Sequence, residues 1–231
     1  MTSRSISKTV IKRLPVYLRI LDNLIHRDVE IVSSRELSLE SGFSPEQIRK
    51  DLAYFGAFGT RGTGYNAIFL REKLLKIIGL DQKTKIIVIG AGHLGTALTR
   101  YNALKNPYVD IVATFDRDPC VIGKTINGIK VLPFEQAPDT IREHNIKVAL
   151  LTVTADAAQD VVNEVVKHGV RAILNFAPAK LHAPEGVHIH NSDLTIELQS
   201  LIYYSTAEEE RLSRLQHEAE EAKSQKMLNL E

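Results

Sequence analysis

Hydrophobic positions along the first eighty residues recur at helical spacing, broken by short polar turns. Leu14, Tyr17, Leu18, Leu21, Leu24 and Ile25 mark one face of a helix over residues 14–26, with Pro15 in its first turn. Residues 33–42 predict a second helix, capped by Ser33 or Ser34 and closed by a left-handed glycine at Gly42. Ser44 starts a third helix, with Pro45 at the first position and Gln47 completing a capping box. Ile48, Leu52 and Phe55 then face a core, which turns Glu46, Gln47, Arg49 and Lys50 outward. Residues 55–65 set four glycines among aromatic and β-forming residues, and 60–64 read as a hairpin tip. Helical spacing returns at Leu70, Leu74, Leu75 and Ile78, before a polar boundary at 81–84.

The period changes at Lys85. An apolar run over 85–89 predicts a buried strand that leads straight into Gly90-Ala-Gly-His-Leu-Gly95. Strands follow at 109–115, ending on Asp116, then at 146–153, 170–175 and 187–190, with a helix over 155–168. Alternation of this kind predicts an α/β fold: a parallel, doubly wound Rossmann sheet behind a winged helix-turn-helix domain. A capped helix begins near Ser192 and continues in polar form through 208–222. Its apolar stripe (Leu194, Leu198, Leu201, Ile202, Leu212, Leu215) is discontinuous. Such a stripe predicts packing against a second copy of the chain; the alternative is a helix lying on its own sheet with a frayed end. The expected domains are 1–80, 81–205 and 206–231.

Composition alters this picture little, but charge distribution does. The 231 residues are 44% hydrophobic and 25% charged, an ordinary globular balance. No apolar run approaches the ~18 residues of a membrane span, and the N-terminus has no signal-peptide pattern. Cys120 is the sole cysteine, which removes a disulfide framework and favours the cytoplasm. Cys120 is expected to be a semi-buried packing residue. Residues 1–80 carry 13 Lys and Arg against 8 Asp and Glu, while 81–231 carry 16 against 20. The excess of five positive charges lies in the part that reads as a winged helix, as a polyanion partner requires.

Two kinds of chemistry follow. In a helix-turn-helix the start of the second helix meets base edges in the major groove, so Gln47, Arg49 and Lys50 are candidate DNA contacts. Arg61 at the hairpin tip is placed for phosphate or the minor groove, and Gly62 lets the backbone approach closely. In the second half, Gly90 makes the tight turn, Gly92 admits a pyrophosphate, and Gly95 lets helix and strand pack. Asp116 lies 21 residues beyond Gly95, where an acid binds adenosine ribose hydroxyls and so favours NAD(H) over NADP(H). Val153-Thr154 and Asn175-Phe-Ala-Pro178 end two further strands and line the nicotinamide side.

Oxidoreductase chemistry is thin. Tyr101-x-x-x-Lys105 lies directly after the phosphate loop, far from where hydride transfer would occur. His93 lacks a base's setting, and His182, His188 and His190 lack a paired acid or metal-ligand spacing, although His188 and His190 share a strand face. No catalytic residue and no metal site are expected, and no room remains for a substrate domain. An NAD-dependent oxidoreductase with an appended regulatory domain, and a CoA- or nucleotide-binding protein, are the rival readings.

Taken in order and spacing, several stretches resemble the Rex family of redox-sensing transcriptional repressors. They are 13–19, 33–37, Gln47-Ile-Arg-Lys-Asp-Leu-Ala-Tyr-Phe-Gly56, Gly59-Thr-Arg-Gly-Thr-Gly-Tyr65, Gly90–Gly95, Phe115-Asp-Arg-Asp-Pro119, 175–178 and 193–201. The resemblance implies a homodimer on palindromic operators, released by NADH and permitted by NAD+, with C-terminal helices exchanged between subunits. It adds Arg13, Ser44 and Tyr54 to the DNA contacts, and Ala91, His93, Leu94, Arg117 and the partner-supplied Leu194 to the cofactor contacts. It makes Arg19, Tyr101 and Asp193 a polar switch, in which Asp193 pairs with Arg19 in one state and Tyr101 in the other. Two residues depart from the family pattern: His93, where asparagine is common, and Thr154, where proline is usual. Both bear on how NADH is told from NAD+.

Overall fold

A computed structural model describes residues 6–60 and 62–228, with side chains through Gln216. The chain divides into two compact units, Met1–Thr84 with Pro107–Val109, and Lys85–Asn106 with Asp110–Glu231. It belongs to the α/β class: a winged helix-turn-helix followed by a mostly parallel Rossmann sheet.

In the first unit, α1 (Lys8–Ile25), α2 (Ser34–Ser41), α3 (Pro45–Ala53) and α4 (Ala67–Ile78) surround one core. Leu14, Tyr17, Leu21, Leu37, Ile48, Leu70 and Leu74 fill it. The first helix begins six residues earlier than its apolar spacing suggests, because Ser7 accepts the Thr9 N–H as an N-cap. Pro15 therefore lies inside α1 rather than in its first turn. It sits on the exposed side of the helix, one turn beyond exposed Ile11, whose carbonyl loses its usual N–H donor. A full capping box forms on α2, where Ser33 accepts from Glu36 N and Glu36 accepts from Ser33 N. On α3 only half of the expected box forms: Ser44 accepts the Gln47 N–H, but the Gln47 side chain turns elsewhere.

The wing is a hairpin of β2 (Gly59–Thr60) and β3 (Gly64–Asn66), which the sequence spacing anticipates. A third strand, β1 (Ile31–Val32), pairs antiparallel with β3 and was not legible from so short a run. Turn residues 107–109 also belong to this unit. The Tyr108 hydroxyl donates to Asp22 Oδ2 at 3.1 Å, while Arg71 pairs with Asp22 Oδ1 at 2.5 Å.

The second unit carries β4 (Thr84–Ile89), α5 (His93–Lys105), β5 (Val109–Asp116), β6 (Thr125–Ile126), β7 (Ile129–Pro133), α6 (Ala137–Glu143), β8 (Val148–Leu151), α7 (Ala155–Lys167), β9 (Ala172–Asn175) and β10 (His188–Asn191). Strand order is β10-β9-β8-β4-β5-β7-β6, with β10–β9, β9–β8, β8–β4 and β5–β7 parallel and β6 antiparallel to β7. The chain enters at the centre, winds outward to β7, then crosses to β8 and winds the other way. That reversal creates a switch point between β4 and β8, where ligands of such sheets bind. Buried Ile87, Ile89, Phe115, Leu151, Val161 and Val165 form the core that fixes these strand ends.

Sequence spacing passes over the β6–β7 hairpin and α6. A signal exists for the hairpin: Asn127-Gly128 between apolar residues, with φ of 48° and 85°, makes the doubly left-handed turn that matches strand twist. Cys120 is exposed, not semi-buried, because it follows Pro119 on the loop leaving β5. Finally α8 (Leu194–Leu228) runs unbroken for 35 residues, roughly 50 Å, straight through the expected boundary at 206.

Candidate DNA and nucleotide sites

Around α3, the sequence-derived contacts separate into two groups. Arg49 and Lys50 are exposed, Tyr54 caps the helix half-exposed, and Ser44 is the N-cap. The Arg49 guanidinium donates to Ser34 Oγ at 2.9 Å, which aims it across the start of α2. A cleft of about 590 Å³ opens between α3 and the wing, lined by Ser34, Arg49, Phe58, Thr63 and Tyr65. Gly62 stands at the wing tip with φ 88° and open space where a side chain would be. Arg61 lies outside the described residues.

Arg13 and Gln47 are engaged differently. Both donate to Asp51, which the sequence reading assigned no role. Arg13 grips the carboxylate with Nε at 2.6 Å and Nη2 at 2.8 Å, Tyr17 donates its hydroxyl at 2.7 Å, and Gln47 Nε2 donates at 2.7 Å. Asp51 is fully buried and the Arg13 side chain is only 14% exposed. Burial by itself drives the Asp51 carboxyl up, but the bonds from Arg13, Tyr17 and Gln47 hold it below the usual carboxylate range. The same cluster, with desolvation first, pushes the Tyr17 phenol up. Arg13 is therefore part of the brace between α1 and α3. No sequence signal ties these residues together, because Arg13 and Tyr17 lie 38 and 34 positions from Asp51.

At the switch point the glycine turn has the geometry its spacing predicts. Gly90 adopts φ 102°, and a β-carbon there would meet the Thr152 carbonyl oxygen at 2.6 Å. A β-carbon on Gly95 would sit 1.8 Å from the Gly90 carbonyl oxygen, so α5 packs on the turn only because Gly95 lacks one. Gly92 differs: nothing lies within 4 Å of its absent side chain. Gly92 is also the N-cap of α5 and provides no side-chain cap, which leaves the first N–H groups of the helix without a capping acceptor. Thr152, missed in the sequence, ties β8 to the turn by donating its hydroxyl to Gly90 O at 2.9 Å.

Asp116 is half-buried and accepts three backbone N–H groups: Ala91 on Oδ2 at 2.5 Å, and Arg117 and Asp118 on Oδ1 at 2.7 and 2.9 Å. A carboxylate offers about four acceptor positions, so Oδ2 retains one for a hydroxyl. The Arg117 guanidinium stacks 4.9 Å from the Phe134 ring centroid. Ala91 is buried beneath the turn, whereas His93 and Leu94 start α5 exposed.

The far strand ends are built by Asn175, whose fully buried amide donates to Ala177 O and Asn191 Oδ1, both at 3.0 Å, and accepts from Ala177 N at 2.9 Å. Asn175 thus shapes the loop of half-buried Phe176, buried Ala177 and exposed Pro178 rather than lining it. Val153 is half-buried, and Thr154 is the N-cap of α7 without a side-chain cap bond. Tyr101 lies exposed on α5, and Arg19 lies exposed on α1. Asp193 caps α8 by accepting from Thr195 N at 2.9 Å and Ile196 N at 3.2 Å, next to an exposed Leu194. Among the described residues no group of three His, Cys, Asp or Glu could hold a metal ion. No helix there is long and apolar enough to cross a membrane.

Known proteins bear on both sites. Residues 5–53 match the family described as "Putative DNA-binding protein N-terminus", and residues 81–179 match the CoA binding domain family. A redox-sensing transcriptional repressor Rex of Natranaerobius thermophilus is 58% identical over 87% of this chain and 91% of its own length. The solved structure of RSP in complex with β-NAD+ and operator DNA is 38% identical, covers 91% of this chain and 97% of RSP, and superposes with a TM-score of 0.82. RSP in complex with β-NADH gives 36% identity, 92% and 100% coverage and a TM-score of 0.79. With both halves matched in one relative over nearly its full length, this chain belongs to the Rex family of redox-sensing transcriptional repressors.

Proposed function

We propose that this protein is a homodimeric, cytoplasmic repressor that binds palindromic operator DNA and is released when NADH binds, so that it reads the NADH/NAD+ ratio. The observation that carries the reading is the pairing, in one chain, of an α3 helix presenting Arg49 and Lys50 with a glycine turn open at Gly92. RSP, a relative that binds both β-NAD+ and operator DNA, supports the same pairing.

In this reading Gly90, Gly92 and the N-terminus of α5 hold the pyrophosphate. Asp116 Oδ2 takes a ribose hydroxyl without giving up its backbone partners. Phe176, Ala177 and Pro178 form an apolar wall, closed by Leu194 from the partner's α8. Reduced nicotinamide is uncharged and the oxidised ring is cationic, so an apolar wall prefers NADH. A hundredfold preference corresponds to about 2.7 kcal/mol of differential binding between the two shapes of the dimer. Arg19, Tyr101 and Asp193 are the polar switch, with Asp193 changing partners between the two states. The exposed apolar residues of α8, including Leu198, Leu201 and Ile202, support dimerisation through an exchanged helix, because a lone chain leaves them in water.

A mobility-shift titration on a palindromic operator tests the whole reading. NADH is expected to release the DNA at concentrations where NAD+ does not. Equal retention at every NADH level overturns the proposal, and turnover of an alcohol or carbonyl substrate would instead favour the oxidoreductase.

A further inference from the structure

Asp51 sits one turn beyond Gln47 on α3, and four donors fill the roughly four acceptor positions of its carboxylate. Gln47 stands in the first turn of that helix and is half-buried. A free glutamine turns its amide either way and reads any base edge. Here the turned-over arrangement would set Gln47 Oε1 against a buried carboxylate oxygen, acceptor against acceptor, and would leave that oxygen short of a donor. One N–H of Nε2 must therefore face inward, which fixes Oε1, with the second N–H beside it, toward an outside partner.

We infer that Asp51 is a specificity-positioning residue, which locks the Gln47 amide so that Gln47 meets the operator as a hydrogen-bond acceptor. In the major groove the matching donors are the exocyclic amines, N6 of adenine and N4 of cytosine. Adenine fits best. The second N–H of Nε2 lies beside Oε1 and reaches N7, while the first stays with Asp51. Guanine and thymine offer Oε1 only acceptors. Asp51 thus acts on base choice without touching DNA. This inference rests on the DNA-binding reading above.

The test is a double-mutant cycle on the operator. At each half-site position, symmetric in both halves, adenine is replaced by purine, which removes N6 and keeps N7, and cytosine by 2-pyrimidinone. One position is expected where loss of the amine weakens wild-type binding about tenfold or more, yet leaves Gln47→Ala unaffected. In Asp51→Asn the amide that replaces one carboxylate oxygen no longer fixes the orientation, so dependence on that amine disappears while binding persists. In the wild-type chain the Gln47 Nε2 proton that bonds Asp51 is expected to exchange slowly with solvent, which tests the lock even if Asp51→Asn does not fold. If every amine contributes equally to wild type and Gln47→Ala, or if that Gln47 Nε2 proton exchanges like one of a free amide, the inference is overturned. Failure of the wild-type chain to bind any operator would overturn the broader reading instead.

Discussion

Gly95 and Asp51 show what a single position controls. A methyl group on Gly95 would collide with the Gly90 carbonyl, so Gly95→Ala is expected to displace the turn and weaken NADH binding by at least about tenfold, ~1.4 kcal/mol. Operator binding without NADH is expected to persist. Calorimetry and a mobility shift on the same sample check both. Asp51→Asn leaves the Arg13 guanidinium buried without its counter-ion, a loss of about 3–5 kcal/mol in such pairs. Its pH dependence has a definite sign. The folded carboxyl lies below its unfolded value, so its contribution is complete above the ordinary carboxylate range and fades as pH falls through the depressed folded value. Urea unfolding of wild type and variant is expected to differ by a constant amount near neutrality and to converge in acid. A difference that grows on acidification would contradict the assignment. Gly95 was legible in the sequence because its spacing and its strand–helix context are local. Asp51 was not, because its partners on α1 come from more than thirty positions away and only the fold brings them near.

Elements were legible where a repeat was long enough to declare itself. The helices α3, α4 and α7, the central strands and the wing follow from apolar period and turn residues. The two-residue strand β1 has no period, and the β6–β7 hairpin hides in a stretch where only Asn127-Gly128 speaks. The start of α1 was misjudged because Pro15 is a favoured first-turn residue, and a proline on the solvent side of a long helix gives the same local pattern. Capping was easier to read than to assign: two serines with a downstream Glu or Gln look alike, but only Ser33 and Glu36 close a reciprocal pair. Hydrogen bonds from the Ser33 backbone and side chain hold the Glu36 carboxyl below its ordinary range. Ser33→Ala is expected to lower stability by about 1 kcal/mol, read as an earlier denaturant midpoint with unchanged slope. Loss of the folded state altogether would mean that Ser33 does more than cap α2.

For the molecule as a whole, the proposed function demands that one ligand event alter the spacing of two α3 helices in a dimer. Leu194→Asp places a charge where the partner's helix would close the nicotinamide wall. The variant is expected to keep its operator yet fail to leave it at NADH levels that release the wild type. Release at the wild-type level would show that closure of that wall is not the trigger. Apart from this, the first unit is stitched from two separate stretches of polypeptide, since Asp22 and Arg71 meet a hydroxyl supplied by Tyr108. A ribosome that has released only the segment through Thr84 has yet to deliver that hydroxyl. The first unit therefore acquires its Tyr108 hydroxyl only after α5 has been synthesised.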